Sequence, residues 1–295
     1  MAEPYPYRVP WEEIEHAARR DAGELGPATL VSVDWDFFLP PPDLSRFDDE
    51  RAEMLAAGAG FYLEEWFGAL RQLRLWGEIA DRLRVLGAEP AEIWEVEDPS
   101  PLARELGLRY RFRRAFVCDS HLWGAYVAAR MHAESGEAVQ LVSFDAHHDL
   151  GYLNYAGDAV ERSRRRAWER PSCDDWAQAC IRRGVVGRME LAYPYWRGLA
   201  ELERSAPTIS AELLKRHVWV GEFDEWVGRH PAPAQPLEAD LLLVRSSAYA
   251  HPFGRADERF LGLARELAPA GFVCLDCEGP LAIGAMDACL PRPSH

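Results

Sequence analysis

Lysine is almost missing from this chain: Lys215 is the only one, and every other basic residue is arginine. Acidic residues outnumber basic ones by 48 to 33, giving a formal net charge of −15. That balance excludes general nucleic-acid binding, because neutralising phosphates requires a basic face. It also attracts cationic substrates, although solubility alone accounts for many acidic proteins. No run approaches the roughly 18 to 20 apolar residues that cross a bilayer. The opening MAEPYPYRVPW lacks the apolar core of a secretion signal. The expectation is a cytoplasmic protein with no membrane or nucleic-acid partner. The six cysteines, at 118, 173, 180, 274, 277 and 289, are too scattered for a disulfide framework and read as reduced thiols. Cys274 and Cys277 form a lone C-x-x-C without a second pair, which favours buried core thiols over a zinc site. There is no internal repeat.

The 295 residues, 48% hydrophobic and 27% charged, suffice for one large domain covering 1–295. Apolar spacing predicts a helix over 11–21, with Ile14, Ala17 and Ala18 on one side. A long helical stretch follows over 51–86, broken near Gly58 and Gly60. Its aromatics (Phe61, Trp66, Phe67) and its leucines at 70, 73 and 75 read as core. Strands are expected at 28–33, 91–96, 111–118, 138–144, 185–192, 218–221, 241–244 and 272–275. Helices are expected at 122–132 and from an N-cap at Ser172 through Ile181. Pro40, Pro41 and Pro42 force a loop. Residues 150–171 form a long connection holding Arg162, Arg164, Arg165, Arg166 and Arg170, which either grips an acidic partner or is a solvated surface segment. The alternation of strands and helices implies an α/β fold: a mostly parallel sheet with helices on both faces, in three layers.

The informative stretch is Leu141-Val-Ser-Phe-Asp145-Ala-His147-His148-Asp149. An apolar strand ends in three metal-competent side chains at alternate positions. Alternate residues of a strand face one way, about 6 to 7 Å apart, so Asp145 and His147 reach neighbouring ions while a turn brings Asp149 back. Ser32-Val-Asp34-Trp-Asp36 repeats the device, and Asp119-Ser-His121 stands where a strand passes into a helix. Alone, an Asp-x-Asp is usually a cap and a single histidine a core residue. Together the three fragments offer Asp34, Asp36, His121, Asp145, His147 and Asp149, an oxygen-rich set suited to two hard or borderline divalent ions such as manganese. Such a pair activates water and stabilises a tetrahedral intermediate, so hydrolysis is the natural chemistry.

These motifs carry a resemblance. Asp-Ala-His-His-Asp resembles the D-A-H-x-D signature of the ureohydrolases (arginase, agmatinase and relatives), Ser32 to Asp36 resembles their S-x-D-x-D, and Asp119 to His121 a degenerate G-G-D-H. The resemblance implies two manganese ions bridged by Asp145 and Asp34, with His121 and Asp149 completing one site and His147 and Asp36 the other. S-x-D-x-D precedes D-A-H-x-D here, the reverse of the usual order, which implies a circularly permuted arginase-like sheet. The phrases SVDWDFF, FDAHHDL and Leu243-Val-Arg-Ser-Ser247 look most like a divergent branch that includes the peptide arginases of ribosomal natural-product maturation. Those enzymes convert arginine side chains in a precursor peptide to ornithine and release urea. The residues that clamp a free amino acid in arginase are not reproduced, which fits a peptide substrate. His148 is then a candidate proton shuttle, Asp174 and Asp175 candidates for the substrate entrance, and Arg245, Ser246 and Ser247 fall near the site. Two alternatives stay open: a hydrolase of a small guanidine or amide, and a non-catalytic, metal-stabilised peptide-binding protein.

Overall fold

In a computed structural model the described residues are 8–23, 26–41, 44–45, 47–59, 69–152, 169–197, 207–246 and 250–275. Among the described residues, seven strands alternate with helices along the chain. They are β1 (Thr29–Asp34), β2 (Tyr110–Cys118), β3 (Val139–Phe144), β4 (Val186–Tyr193), β5 (Val218–Glu222), β6 (Leu237–Val244) and β7 (Val273–Cys274). All pair in parallel, in the order β5-β4-β3-β1-β6-β2-β7. Each parallel step needs a crossover, and helices supply these: α1 (Trp11–Asp21), α2 (Asp49–Ala59), α3 (Ala69–Val85), α4 (Pro90–Ile93), α5 (Ser100–Arg109), α6 (Trp123–Ser135), α7 (Trp176–Arg182), α8 (Ala211–His217), α9 (Phe223–Arg229) and α10 (Ala256–Leu267).

The central strands β1 and β3 and the carboxyl-terminal parts of β2, β4 and β6 are buried on both faces, as their near-continuous apolar runs require. Leu30, Phe116, Leu141, Leu191 and Leu242 pack against α1, α6 and α7 through Trp11, Ile14, Tyr126 and Trp176. Val31, Val33, Val117, Val142 and Leu243 point the other way, to α5, α9 and α10 through Leu106, Trp226, Phe260 and Leu263. This is a three-layer α/β fold. A smaller cluster of Leu55, Trp76, Ile79, Leu83, Ile93 and Trp94 joins α2, α3 and α4.

Three expectations fail locally. Residues 91–96 form no strand: Pro90 opens the short helix α4, where Glu89 and Glu92 make a reciprocal capping box. Ser172 does not cap its helix. Helix α7 starts only at Trp176, and the Ser172 hydroxyl donates to Asp175 Oδ1 at 3.1 Å. Helix α5, a product of Ser100-Pro101 at a helix start, lies where no element was expected. Phe61, Trp66, Phe67, Arg162, Arg164, Arg165, Arg166, Ser247, Cys277 and Cys289 lie outside the described residues, as do the side chains of Leu70, Leu73 and Leu75. The four described cysteines are free thiols. Among the described residues, no helix is long and apolar enough to cross a membrane.

Candidate metal centre

In an open parallel sheet, ligands gather at the carboxyl ends of strands where the connections reverse direction. Here that place is β1, with β3 on one side and β6 on the other. Ser32 pairs with Ser143 and Val33 with Phe144, so Asp34 and Asp145 leave the sheet side by side. A β6 residue, Val244, lies between Asp34 and Cys118 in register, and the end of β2 carries His121 to the same edge. Asp34, Asp36, His121, Asp145 and Asp149 are all buried, while the side chain of His147 is 27% exposed.

His121 Nδ1 stands 3.2 Å from Asp34 Oδ2, 3.1 Å from Asp145 Oδ2 and 2.8 Å from Asp149 Oδ2. His147 Nδ1 stands 2.7 Å from Asp36 Oδ2 and 3.8 Å from Asp145 Oδ1. Two groups can therefore hold a metal ion, Asp34 with His121 and Asp145, and Asp36 with Asp145 and His147, and Asp145 belongs to both. The donor chemistry passes a further test: His121 Nδ1 and Asp145 Oδ2 are buried yet make no hydrogen bond, although they lie close together. Unsatisfied buried polar atoms are costly, and a cation would relieve both.

The surrounding protein fixes each ligand from behind. Ser32 Oγ lies 2.8 Å from His121 Nε2, so the other ring nitrogen is the one presented to the cluster. The Asp36 amide donates to Asp34 Oδ1 at 3.2 Å, and Ser246 Oγ–H to Asp34 Oδ2 at 2.6 Å. The amide of Ala146 donates to Asp36 Oδ1 at 3.2 Å, and that of His147 to Asp145 Oδ1 at 2.7 Å. Trp176 Nε1–H donates to Asp149 Oδ2 at 2.6 Å. Two of these residues have left-handed backbones rare outside glycine, Asp149 at φ 52° and Ser246 at φ 48°. Such conformations persist where the surroundings enforce them, often at functional sites.

Electrostatics follow from crowding four carboxylates in a dry site. Burial raises Asp34 to about 6, helped by the Asp36 charge and opposed by His121 and Ser246. Burial and then the charges of Asp149, Asp36 and Asp34 lift Asp145 well above the usual carboxylate range. Burial would also raise Asp36, but His147 reverses this and leaves it lowered. Burial would depress both histidines. The carboxylates outweigh it: His121 lies well above its ordinary value through Asp149, Asp145 and Asp34, and His147 reaches about 9 through Asp36 and Asp145. At pH 7 the ion-free His147 is therefore protonated, whereas a metal ligand must be neutral. Cation binding at pH 7 should release protons, and affinity should rise about tenfold per pH unit per proton displaced until pH exceeds about 9. Calorimetry in buffers of different ionisation enthalpy reads that release directly; an enthalpy independent of buffer would refute it.

Other expected residues are placed differently. His148 is fully buried, its Nδ1 accepts the Leu150 amide at 3.1 Å, and its ring stacks on Tyr152 with centroids 4.2 Å apart. Asp175 does not line an entrance: it is fully buried, pairs with Arg8 at 2.9 Å and accepts from Ser172. Ser246 serves Asp34 rather than an open cleft. Asp174 is buried, and together with Asp149 and Asp145 its charge helps burial hold the Tyr152 phenol well above its ordinary value. Arg245 is buried between Asp257, at 2.6 Å, and Asp119, at 3.6 Å, and so ties the end of β6 to α10 and to the turn bearing His121. Sequence reasoning missed Ser32, Tyr152 and Trp176. Ser32 alone carried a signal, since it shares a face with Asp34 by strand alternation.

No family model matches this chain, and neither a curated protein nor a solved structure matches it.

Proposed function

We propose that this protein is a binuclear metal-dependent hydrolase that converts arginine side chains within a peptide to ornithine and urea. One observation carries the reading: Asp145 stands in two metal-competent groups at once, at the facing ends of adjacent strands. A shared carboxylate is the economical way to hold two like-charged ions close together. Two imidazoles among four carboxylates favour manganese over a thiolate-seeking metal. The choice of a guanidinium rests on the ureohydrolase-like motifs and is supported by the acidic balance of the chain.

When bound, the ions supply Lewis acidity that activates water for hydrolysis. The chain's own residues do the rest. Ser32, Ser246, Trp176 and the amides of Ala146 and His147 hold the ligands in place before substrate arrives, so little reorganisation is left for the reaction. The partial exposure of His147 puts the approach to the centre on its side. Water adds to the guanidinium carbon, the bond from that carbon to Nε breaks, and the departing amine takes a proton, leaving ornithine in the peptide and free urea.

The test is to incubate the manganese-loaded protein separately with arginine, agmatine and an arginine-containing peptide, then measure urea and the peptide's mass. Urea from the peptide together with the mass of ornithine in place of arginine is the expected result. Urea only from the small guanidines would move the substrate class, and no urea from any of them would sink the reading.

A further inference from the structure

The segment from Arg8 to Trp11 is fastened to residues 169–175 by five hydrogen bonds. The Val9 amide donates to Pro171 O at 3.1 Å and the Trp11 amide to Glu169 O at 2.7 Å. The Arg8 guanidinium donates to Arg170 O and to Asp175 Oδ2, both at 2.9 Å, and Arg170 donates back to Arg8 O at 3.4 Å. Asp175 holds this strap with Oδ2 and its own turn with Oδ1, which accepts the Ser172 amide at 2.7 Å.

The next residue along, Trp176, reaches the metal centre. It is fully buried and faces Gly124, where a Cβ would come within 2.7 Å of its ring, so the indole has one place to sit. Its ring centroid lies 5.0 Å from that of His121. Its Nε1–H bonds Asp149 Oδ2, the same oxygen that stands 2.8 Å from His121 Nδ1. A continuous set of contacts thus runs Arg8, Asp175, Trp176, Asp149, His121. The other half of the centre is held differently. The carboxylate of Asp36 is bonded by the Ala146 amide and His147, both from the turn after β3.

We propose that the N-terminal strap is a positioning device for one half of the metal centre. Arg8, acting through Asp175 and Trp176, sets the affinity of the half built on His121 and Asp149 and leaves the half built on Asp36 and His147 alone. The inference rests on the binuclear reading. Losing Arg8 leaves a buried carboxylate without its cation, and the turn that carries Trp176 relaxes to find water for it. Asp149 then loses its orienting donor. Outer contacts of this kind are worth about 10- to 100-fold in metal affinity.

The experiment is a titration of the full chain with manganous chloride, followed by calorimetry and by electron paramagnetic resonance, on the wild type, Arg8→Met, Arg8→Lys and Trp176→Phe. The wild type should bind two ions and give the spectrum of a coupled pair. Arg8→Met should keep one ion at unchanged affinity, weaken the other about 10- to 100-fold, and show an isolated ion at low loading. Trp176→Phe, which keeps the ring and removes the N–H, should match it and tests the same link if Arg8→Met does not fold. Arg8→Lys should recover part of the loss. Two ions at wild-type affinity in both Arg8→Met and Trp176→Phe would overturn the strap and leave the binuclear reading intact. Equal weakening of both ions would reduce the strap to general stability. A wild type that binds no more than one ion would overturn the binuclear reading and the strap with it.

Discussion

Asp145→Ala is expected to abolish the binding of both ions and, with it, all turnover. The side chain is the one member common to the two metal-competent groups. Its Oδ2 faces His121 Nδ1 at 3.1 Å and its Oδ1 faces His147 Nδ1 at 3.8 Å. Without it, one half keeps Asp34, His121 and Asp149 and the other Asp36 and His147, and the carboxylate that joins the two is gone. The ion-free protein should react in the opposite sense. Burial and three neighbouring carboxylates push Asp145 well above the usual carboxylate range, so the charged side chain costs stability in the absence of a cation. The variant should therefore unfold at the same temperature as the ion-free wild type, or higher, while losing the gain that ligand binding confers, about 2.7 kcal/mol at a hundredfold excess over the dissociation constant. Melting curves with and without manganese, read beside metal content, give both signs. A variant that still carries two ions or still gains stability from manganese would remove the shared-ligand assignment. Asp149→Ala is the control, because its direct contact within the centre is with His121 and it reaches the shared Asp145 only through its charge.

The cluster was legible because apolar runs that stop at ligand-type residues mark strand ends, and strand adjacency is simple geometry. Asp-x-His-x-Asp does follow such a run, but a turn and not strand alternation gathers its ligands, since β3 stops at Phe144. The expectation that Asp34 and Asp36 both sit on a strand beside Asp145 holds for Asp34 alone, which ends β1 next to β3; Asp36 lies past the strand, in a single 3-10 turn over Trp35–Phe38 that the Asp34 side chain caps. The parallel sheet was equally legible from runs such as LVSV and LLLV, which only a doubly covered strand can bury. What the sequence concealed depends on partners far away along the chain. Asp174 and Asp175 are expected at the substrate entrance, yet Asp175 is claimed by Arg8, 167 residues earlier. Trp176 is core, and only its N–H makes it part of the site. Residues 91–96 have strand-like content, and the capping box at Glu89 and Glu92 overrides it. His148, between two ligands in sequence, is instead stacked on Tyr152 and bonded to the Leu150 amide within its own turn.

Arg114→Met should be the most damaging single change remote from the metal centre, at about 3 to 5 kcal/mol, the usual cost of removing one partner from a buried charge cluster. Arg114, on β2, bonds two buried carboxylates at once: Glu134 of α6, at 2.8 and 2.7 Å, and Asp240 of β6, through Nε at 2.9 Å and through Nη2. Glu134 is completed by Arg130 at 2.9 Å and by the Gly23 amide at 3.1 Å. Asp240 is fully buried, and Arg113, the other cation that lowers it, acts more weakly than Arg114. Methionine fills much of the volume of the arginine stem, so the loss isolates the charge. The pH dependence separates it further. Burial would raise Glu134, but Arg114, the Gly23 amide and Arg130 bring it from 4.5 down to about 2. A depressed acid contributes stability that is complete above its unfolded value and is lost as pH falls through the folded one. The wild type should therefore lose part of its stability between about pH 4.5 and 2, and Arg114→Met should lose less over that window. Adding Asp240→Asn to the variant removes the stranded charge and should return part of the loss. Urea unfolding at several pH values, with manganese content measured at neutral pH, provides the check. A loss below about 1 kcal/mol would class the cluster with exposed ion pairs, and a fall in metal content without a fall in stability would show that the cluster reaches the metal centre.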